Sequence, residues 1–414
     1  MEFRFFLKAK EEQNILNGFP WVFDNEISHV KFFSNNKWQT ENFSDCKIPV
    51  GEIVDVFSKS GLHLGSGVFN PASKISVRFF SKEKANDFRS HAKEVIEKRI
   101  ADAFNMRRIF FASGKSFRLI FSEADFLPGL IVDAFVDIEN RMTLVVEFLS
   151  LAVEIFRTEI LDGLKKIVAP DFIFERSENP MREKEGLPQK QGFFGKDGPD
   201  KFLIVENGIK FFVDIISGQK TGFFLDQSEN RIAFEKYCHG KRVLDCFSNS
   251  GGFALHAFHA GAKKITAVEI SEDACYLIKI NASNNSANEK IDVVNEDVFS
   301  FLEKAEKSNE KYDVVVLDPP AFAKSAKHIQ KAFGAYKEIN VKAMKLLERG
   351  GILVSCSCSS FFDENTFYEM LKMSAREAKR RVQILERRCA PSDHPILLGH
   401  EKSFYLKCAI ARVF

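Results

Sequence analysis

The chain has 414 residues, of which 45% are hydrophobic and 28% charged, and its formal net charge is +2. That length is too great for one ordinary core and predicts two or three domains, while the near-neutral balance excludes a polycation, so any nucleic acid must be met by a local basic face. The eight cysteines follow no disulfide spacing, and neither a secretory leader nor a membrane-length apolar run is visible, so a reduced, cytoplasmic protein is expected, with no membrane partner.

Residues 1–80 read as short strands (RFFLKA, PWVFDNEI, GEIVDVF, GLHLGSGVF, KISVRFF) punctuated by Gly51, Gly61, Gly65, Gly67 and Pro71, the pattern of a small β-barrel. The polar stretch SNNKWQTENFSDC between them reads as a long loop. Residues 81–192 open on a helical pattern from about 84, with apolar residues at three- and four-residue spacing, then strands at SFRLIFSEA, LPGLIVDAF and MTLVVEFL and a helix at LAVEIFRTEILDGLKKI. This predicts a central α+β domain. NPMREKEGLPQKQGFFGKDGPD, rich in Gly, Pro and charge, reads as a linker. The 44 phenylalanines, many in pairs such as Phe5-Phe6 and Phe193-Phe194, read mainly as core.

From 195 to 414, β-branched runs alternate with helices: KRVLDCF, KITAVEI, KIDVVNED, YDVVVLD and GILVSCS are strands, each followed by a helix. The fold class is therefore α/β, a doubly wound parallel sheet, closed by an antiparallel hairpin from VQILERR and FYLKCAIARVF.

In such a sheet the ligand lies beyond the carboxyl ends of the strands. After the first comes Asp245-Cys246-Phe247-Ser248-Asn249-Ser250-Gly251-Gly252, whose glycines admit close approach of a ligand to the backbone. The loop is not G-x-G-x-x-G, which disfavours a dinucleotide and a nicotinamide dehydrogenase. Glu269 ends the second strand, where an acid can accept both ribose hydroxyls, and Asp297 follows the third, where it can accept an adenine amine. Each acid alone reads equally as a helix cap; three at successive strand ends point to an adenosyl ligand. Asp318-Pro319-Pro320 leaves the fourth strand as a stiff exit that can hold a carboxylate against a planar base.

The fifth strand ends Ser355-Cys356-Ser357-Cys358-Ser359. With no matching Cys/His pair nearby, no metal is expected. A nucleophilic thiol beside Asp318 fits better. Carbon 5 of cytosine cannot take a methyl group directly; a thiolate adding to carbon 6 makes carbon 5 electron-rich, and later expulsion of the thiol restores the ring. Cys358 and Asp318 are the catalytic candidates.

In order along the chain, PWVF, GVFNPAS, RLIFSEADFLPGLIVD, GQKTGFFLDQSENR, VLDCFSNSGGFALHA, VEIS, EDVF, LDPPAFAKS, SCS, DHP and YLK resemble the RlmI-like family of cytosine-5 methyltransferases of 23S ribosomal RNA, essentially end to end. The resemblance implies a PUA-like RNA-binding barrel over 1–80 and an S-adenosylmethionine-dependent, Rossmann-like domain over 195–414. It implies that Asp245, Phe247, Ser248, Asn249, Gly251, Glu269, Asp297 and Asp318 line the cofactor and base site, with Thr221, Phe223 and Gln227 near the cofactor. It also implies that Cys358 rather than Cys356 is the nucleophile. Three positions depart from the family pattern: Ser228 stands for an Arg, Ala321 for a Lys, and Cys356 is an extra thiol. The further Cys that other cytosine-5 RNA enzymes carry after the fourth strand is replaced by proline.

Expected partners are large-subunit ribosomal RNA or its precursor and, in a homodimer, a second copy. Lys8, Arg78, Arg99, Arg107, Arg108, Arg118, Arg182, Lys184, Arg231, Lys324 and Lys327 are candidate phosphate contacts, of which about a third are expected to serve. Phe322 is a candidate to hold a flipped base. Two other readings stay open: methylation of an exocyclic base amine, and a non-catalytic RNA-binding or ribosome-assembly factor.

Overall fold

The computed structural model describes residues 2–110, 114–218, 220–323 and 325–414, without the side chain of Ala326. The chain forms two compact units, one of residues 1–200, 215–217 and 393–403, the other of residues 201–214, 218–392 and 404–414.

The first unit holds two sheets. Strands β1 (Phe3–Leu7), β2 (Trp21–Phe23), β3 (Ile27–Ser34), β4 (Lys37–Asn42), β5 (Ile53–Phe57), β6 (His63–Phe69) and β7 (Ile75–Ser81) form one sheet in the order β2-β7-β6-β5-β1-β3-β4. Alternation along β1 sends Phe3, Phe5 and Leu7 into its core with Val54, Val56 and Phe69. The stretch expected to be a loop is instead strand β4, paired with β3 through Phe33↔Trp38. Asn35 and Asn36 both take left-handed backbone (φ 51° and 60°), the geometry of a two-residue hairpin turn.

The second sheet, β8 (Phe117–Phe121), β9 (Leu130–Val136), β10 (Met142–Phe148), β11 (Phe172–Ser177) and β12 (Lys190–Phe193), runs in the order β12-β11-β10-β9-β8. The helices Ala92–Phe110 and Arg157–Val168 share its core. The expected linker is built into this layer. Asn179 caps the helix Pro180–Lys184, β12 pairs with β11, and Arg182 is fully buried with Nε on Pro188 O at 2.8 Å and Nη1 on Glu154 at 3.0 Å. Its Gly, Pro and charge serve turns and an internal ion pair rather than solvation.

The second unit begins with a hairpin, β13 (Lys201–Glu206) and β14 (Ile209–Asp214), followed by a seven-stranded sheet. Its strands are β15 (Arg242–Cys246), β16 (Lys264–Glu269), β17 (Ile291–Asn295), β18 (Tyr312–Leu317), β19 (Leu347–Ser357), β20 (Val382–Arg388) and β21 (Lys407–Val413), in the order β17-β16-β15-β18-β19-β21-β20. β15 to β19 are parallel and β21 is antiparallel to both β19 and β20, the expected doubly wound sheet with its closing hairpin. Val314, Val315, Val316 and Leu317 are wholly buried, as a central parallel strand requires. Strand order reverses between β15 and β18, so their carboxyl ends open a crevice. Among the described residues no helix is long and apolar enough to cross a membrane.

Candidate active site at the carboxyl edge of the sheet

Asp245, near the end of β15, is buried. Its Oδ2 accepts hydrogen bonds from Ser248 Oγ at 2.6 Å and the Ala254 amide at 3.0 Å. Its Oδ1 is equally buried and has no partner among the described residues. Burial, opposed by the Ser248 hydroxyl and reinforced by the charge of Asp318, pushes this carboxyl up to about 7. The loop beyond it turns through three left-handed residues, Phe247 (φ 62°), Asn249 (φ 52°) and Gly251 (φ 81°). A Cβ on Gly251 would stand 3.2 Å from Ile278 Cγ2 as well as taking a strained φ, so the helix Gly252–His259 can start this close to the site only from glycine.

Glu269 closes β16 and is held by three amides: Ile270 and Ser271 donate to Oε1 at 2.9 and 3.0 Å, and Asn249 donates to Oε2 at 3.0 Å. The last bond ties the first loop to the second acid. Asp297 caps the helix Val298–Lys307 by accepting from the Ser300 amide at 3.0 Å, so its described hydrogen bond is to its own helix.

Asp318, just past β18, is half-buried and accepts from Gln227 Nε2 at 2.9 Å. Asn230 Nδ2 donates to Gln227 Oε1 at 2.7 Å, which turns the glutamine amide toward Asp318. Burial first, then the neighbouring Asp226 charge, push Asp318 up to about 6.

Cys358 lies one residue beyond the end of β19, half-buried, with Sγ 3.9 Å from Pro319 O. Burial pushes its thiol up to about 11; Lys220 pulls it down, and Asp318 and Asp226 oppose that. Cys356 is still within the strand and 1% exposed, facing Cys408 on the neighbouring β21. A hydrogen bond donated to Cys408, together with burial, holds its thiol well above the usual range. Because β19 stops at Ser357, the two thiols occupy different surroundings.

Thr221, Phe223 and Gln227 are all buried. Gln227 reaches Asp318, whereas Phe223 packs on Phe211, ring centroids 4.9 Å apart, under the Arg231 guanidinium. Phe322 is half-buried against Tyr336 at 4.7 Å, with Phe299 and Phe247 beyond.

Sequence reasoning passed over a second ring of groups. Ser359 Oγ shares a hydrogen bond with Tyr336 Oη at 2.9 Å and accepts from the Ala323 amide at 3.2 Å, tying the Cys358 turn to the segment after the double proline. Lys407 Nζ donates to Ser359 O at 2.7 Å and Tyr405 O at 2.8 Å, and Tyr405 Oη donates to Asp226 Oδ2 at 2.6 Å. β21 is buried at Lys407 through Ala411 alike, so alternation along it carries no signal for the lysine.

Five expected phosphate contacts are instead internal. Arg78 pairs with Glu123 and Glu185, Arg107 grips Asp125 at 2.6 and 2.7 Å, and Arg118 binds Asp133. Arg182 pairs with Glu154, and Arg231 grips Glu206 at 2.7 and 2.8 Å, helping hold that carboxylate far below its usual range. Each is a guanidinium whose matching acid lies far off in the sequence. Arg99 is half-buried on the carbonyls of Phe126 and Phe80. Lys8, Arg108, Lys184 and Lys327 are exposed, and Lys324 lies outside the described residues.

The orphaned Asp245 oxygen, the glycine turn and the fixed Glu269 form a cradle whose donor set suits a cationic nucleoside: acids to accept from ammonium and ribose groups, and no phosphate-binding loop. Comparison with known proteins agrees. Residues 192–400 match the S-adenosylmethionine-dependent methyltransferase family model, and residues 5–82 match a PUA-like domain. The chain is 35% identical over 411 residues to ribosomal RNA large subunit methyltransferase I of Photobacterium profundum, covering 97% of each. It is 36% identical over 418 residues to the protein of that name from Shewanella denitrificans, covering 100% of each. A solved structure from Streptococcus mutans shares the fold over 100% of both chains with a TM-score of 0.81 at 20% identity.

Proposed function

Because this chain belongs to the ribosomal RNA large subunit methyltransferase I family of S-adenosylmethionine-dependent enzymes, we propose that it methylates carbon 5 of a cytosine in 23S ribosomal RNA through a covalent adduct with Cys358. The observation that supports the reading is that Cys358 and Asp318 follow the ends of neighbouring strands β19 and β18, where Cys358 Sγ touches the carbonyl of the residue following Asp318. When bound, S-adenosylmethionine supplies an electrophilic methyl group on a sulfonium centre.

The residues that would hold it are Asp245, through its free oxygen, the Phe247–Gly251 turn with Ser248 and Asn249, Glu269 for the ribose and Asp297 for the adenine amine. Gln227 orients Asp318 through its amide, and Thr221 and Phe223 are the further residues assigned to the cofactor's surroundings. Asp318 then hydrogen-bonds the edge of a flipped cytosine. The Cys358 thiol ionises, and its sulfur adds to carbon 6, so that carbon 5 gains the electron density to be methylated. Loss of the carbon 5 proton and departure of the thiolate restore the aromatic ring. Cys356, sealed against Cys408, is left out of this sequence. Exposed Lys8, Arg108, Lys184 and Lys327 are the proposed phosphate contacts, on RNA met in the cytoplasm.

The test is incubation with the cofactor and ribosomal RNA bearing 5-fluorocytidine, whose carbon 5 cannot release a proton. A denaturation-resistant adduct mapping to Cys358 is expected. An adduct on Cys356, or none with an RNA that the enzyme demonstrably methylates, overturns the mechanism.

A further inference from the structure

Lys407 is a lysine where a lysine is costly: 2% exposed, with no carboxylate at ion-pair distance among the described residues. It opens β21 directly opposite Ser357, the last residue of β19, and its side chain reaches past that strand end. There Nζ donates to Ser359 O at 2.7 Å and to Tyr405 O at 2.8 Å. Both partners are carbonyls, so two of the nitrogen's tetrahedral positions are N–H donors and a third is its bond to carbon. The fourth position carries a third proton on the ammonium and a lone pair on the amine. Cys358 lies between Ser357 and Ser359, the two residues that Lys407 spans.

We propose that Lys407 is a positioning residue for the reactive thiol: it clamps the turn carrying Cys358 and, as an ammonium, steadies the Cys358 thiolate. The proposal rests on the reading of Cys358 as the nucleophile. The chemistry is one ionisation, in which the S–H bond breaks, its proton passes to water, and Lys407 keeps its own. The charged and titratable groups around the pair are Asp318, Asp226, Lys220 and the Tyr336 phenol facing Cys358, and Asp363 and Glu364 facing Lys407. Burial lowers Lys407 to about 8, opposed by Cys358, Asp363 and Glu364, so the cation is present at neutral pH and fades above it. A buried lysine held by two neutral carbonyls thus gives the site a positive charge over the pH range in which the thiol must react.

The experiment measures alkylation of Cys358 by iodoacetamide against pH in the full-length protein, with the modified residue identified by peptide mass. In Lys407→Met the rate at pH 7.5 is expected to fall about ten-fold, the effect of one unit in thiol acidity. In Lys407→Arg, which keeps the charge and the donors, it is expected to stay within about two-fold at pH 7.5 and to exceed wild type at pH 9, where arginine remains protonated. A cooperatively melting Lys407→Met protein with the wild-type profile overturns the proposal. Should that variant not fold, Lys407→Arg decides alone, and a profile superimposing on wild type through pH 9 is the overturning result. Because alkylation needs no RNA, the two readings fail separately. A shifted profile without a fluorocytidine adduct sinks the cytosine mechanism and keeps the pairing; an adduct with an unshifted profile does the reverse.

Discussion

Ser248 Oγ donates to Asp245 Oδ2 at 2.6 Å, on the same oxygen that receives the Ala254 amide, and this leaves Asp245 Oδ1 buried with no partner among the described residues. A buried carboxylate oxygen without a donor is held at a cost of about 1–3 kcal/mol, which an incoming N–H group would relieve. Such a site is prepared for a cation.

The affinity for S-adenosylmethionine should therefore depend on pH. In the free protein Asp245 titrates near 7 and Asp318 near 6, both raised chiefly by burial. A cationic ligand favours the ionised forms, so binding releases protons and tightens as pH rises. Between pH 6 and 8 the ionised fraction of a group with a pKa of 7 grows about ten-fold, and calorimetry should find affinity rising by roughly the same factor. Proton release, read from the dependence of binding heat on buffer, should accompany it. A flat affinity across that range would mean the acids are already charged.

Asp245→Asn should stabilise the protein without ligand. The folded-state pKa lies above the ordinary value of 3.8, so the contribution of Asp245 to stability is full below about 3.8 and is lost as pH rises through 7. At pH 8 the wild type holds a buried charge that asparagine lacks, and the amide oxygen can still accept from Ser248 and Ala254. Urea unfolding at pH 8 should favour the variant by up to about 4 kcal/mol, the gain shrinking toward pH 4.5. Cofactor binding should weaken in the same variant. A variant less stable than wild type at pH 8 would contradict the raised pKa.

What the sequence made legible follows from how local each signal is. The parallel sheet came from apolar runs that must be buried on both faces, such as Val314 to Leu317, and the acids at strand ends came from that periodicity. Strand β4 was missed because KWQTEN offers Trp38 as its one apolar residue and so shows no alternation; the Asn35-Asn36 turn was the clearer signal. The internal arginines were missed because nothing near Arg78 in the chain announces Glu123 or Glu185. The difference between Cys356 and Cys358 depends on where β19 stops and on Cys408 across from it, a contact 52 residues away in the chain and absent from any local pattern.

That difference yields a prediction about the two thiols. Cys358→Ala should abolish methylation of ribosomal RNA, measured by transfer of labelled methyl groups, while leaving cofactor binding within about three-fold. Cys356→Ala removes a small buried group packed against Cys408 and should cost roughly 1 kcal/mol of stability with activity reduced no more than a few-fold. A Cys358→Ala enzyme with full activity would instead favour methyl transfer to an exocyclic amine, which needs no thiol.

The last prediction separates cations that bind RNA from cations that hold the fold. Arg78 is 4% exposed, with Nη1 on Glu123 at 3.0 Å and Nη2 on Glu185 at 2.9 Å. The Trp21 indole also donates to Glu123, and Asn70 to Glu185, but neither replaces the positive charge. Arg78→Ala leaves two buried carboxylates facing an emptied space, a loss on the order of 3–5 kcal/mol in unfolding measurements. Lys184 and Lys327 are exposed and should cost almost nothing in stability when replaced by alanine. RNA binding should reverse the order. Each lysine that meets a phosphate lowers the slope of log affinity against log salt by about one when removed, whereas folded Arg78→Ala protein, assayed well below its melting temperature, should keep the wild-type slope. A reduced slope in Arg78→Ala at full folding would place that guanidinium on the RNA after all and undo its assignment to the interior.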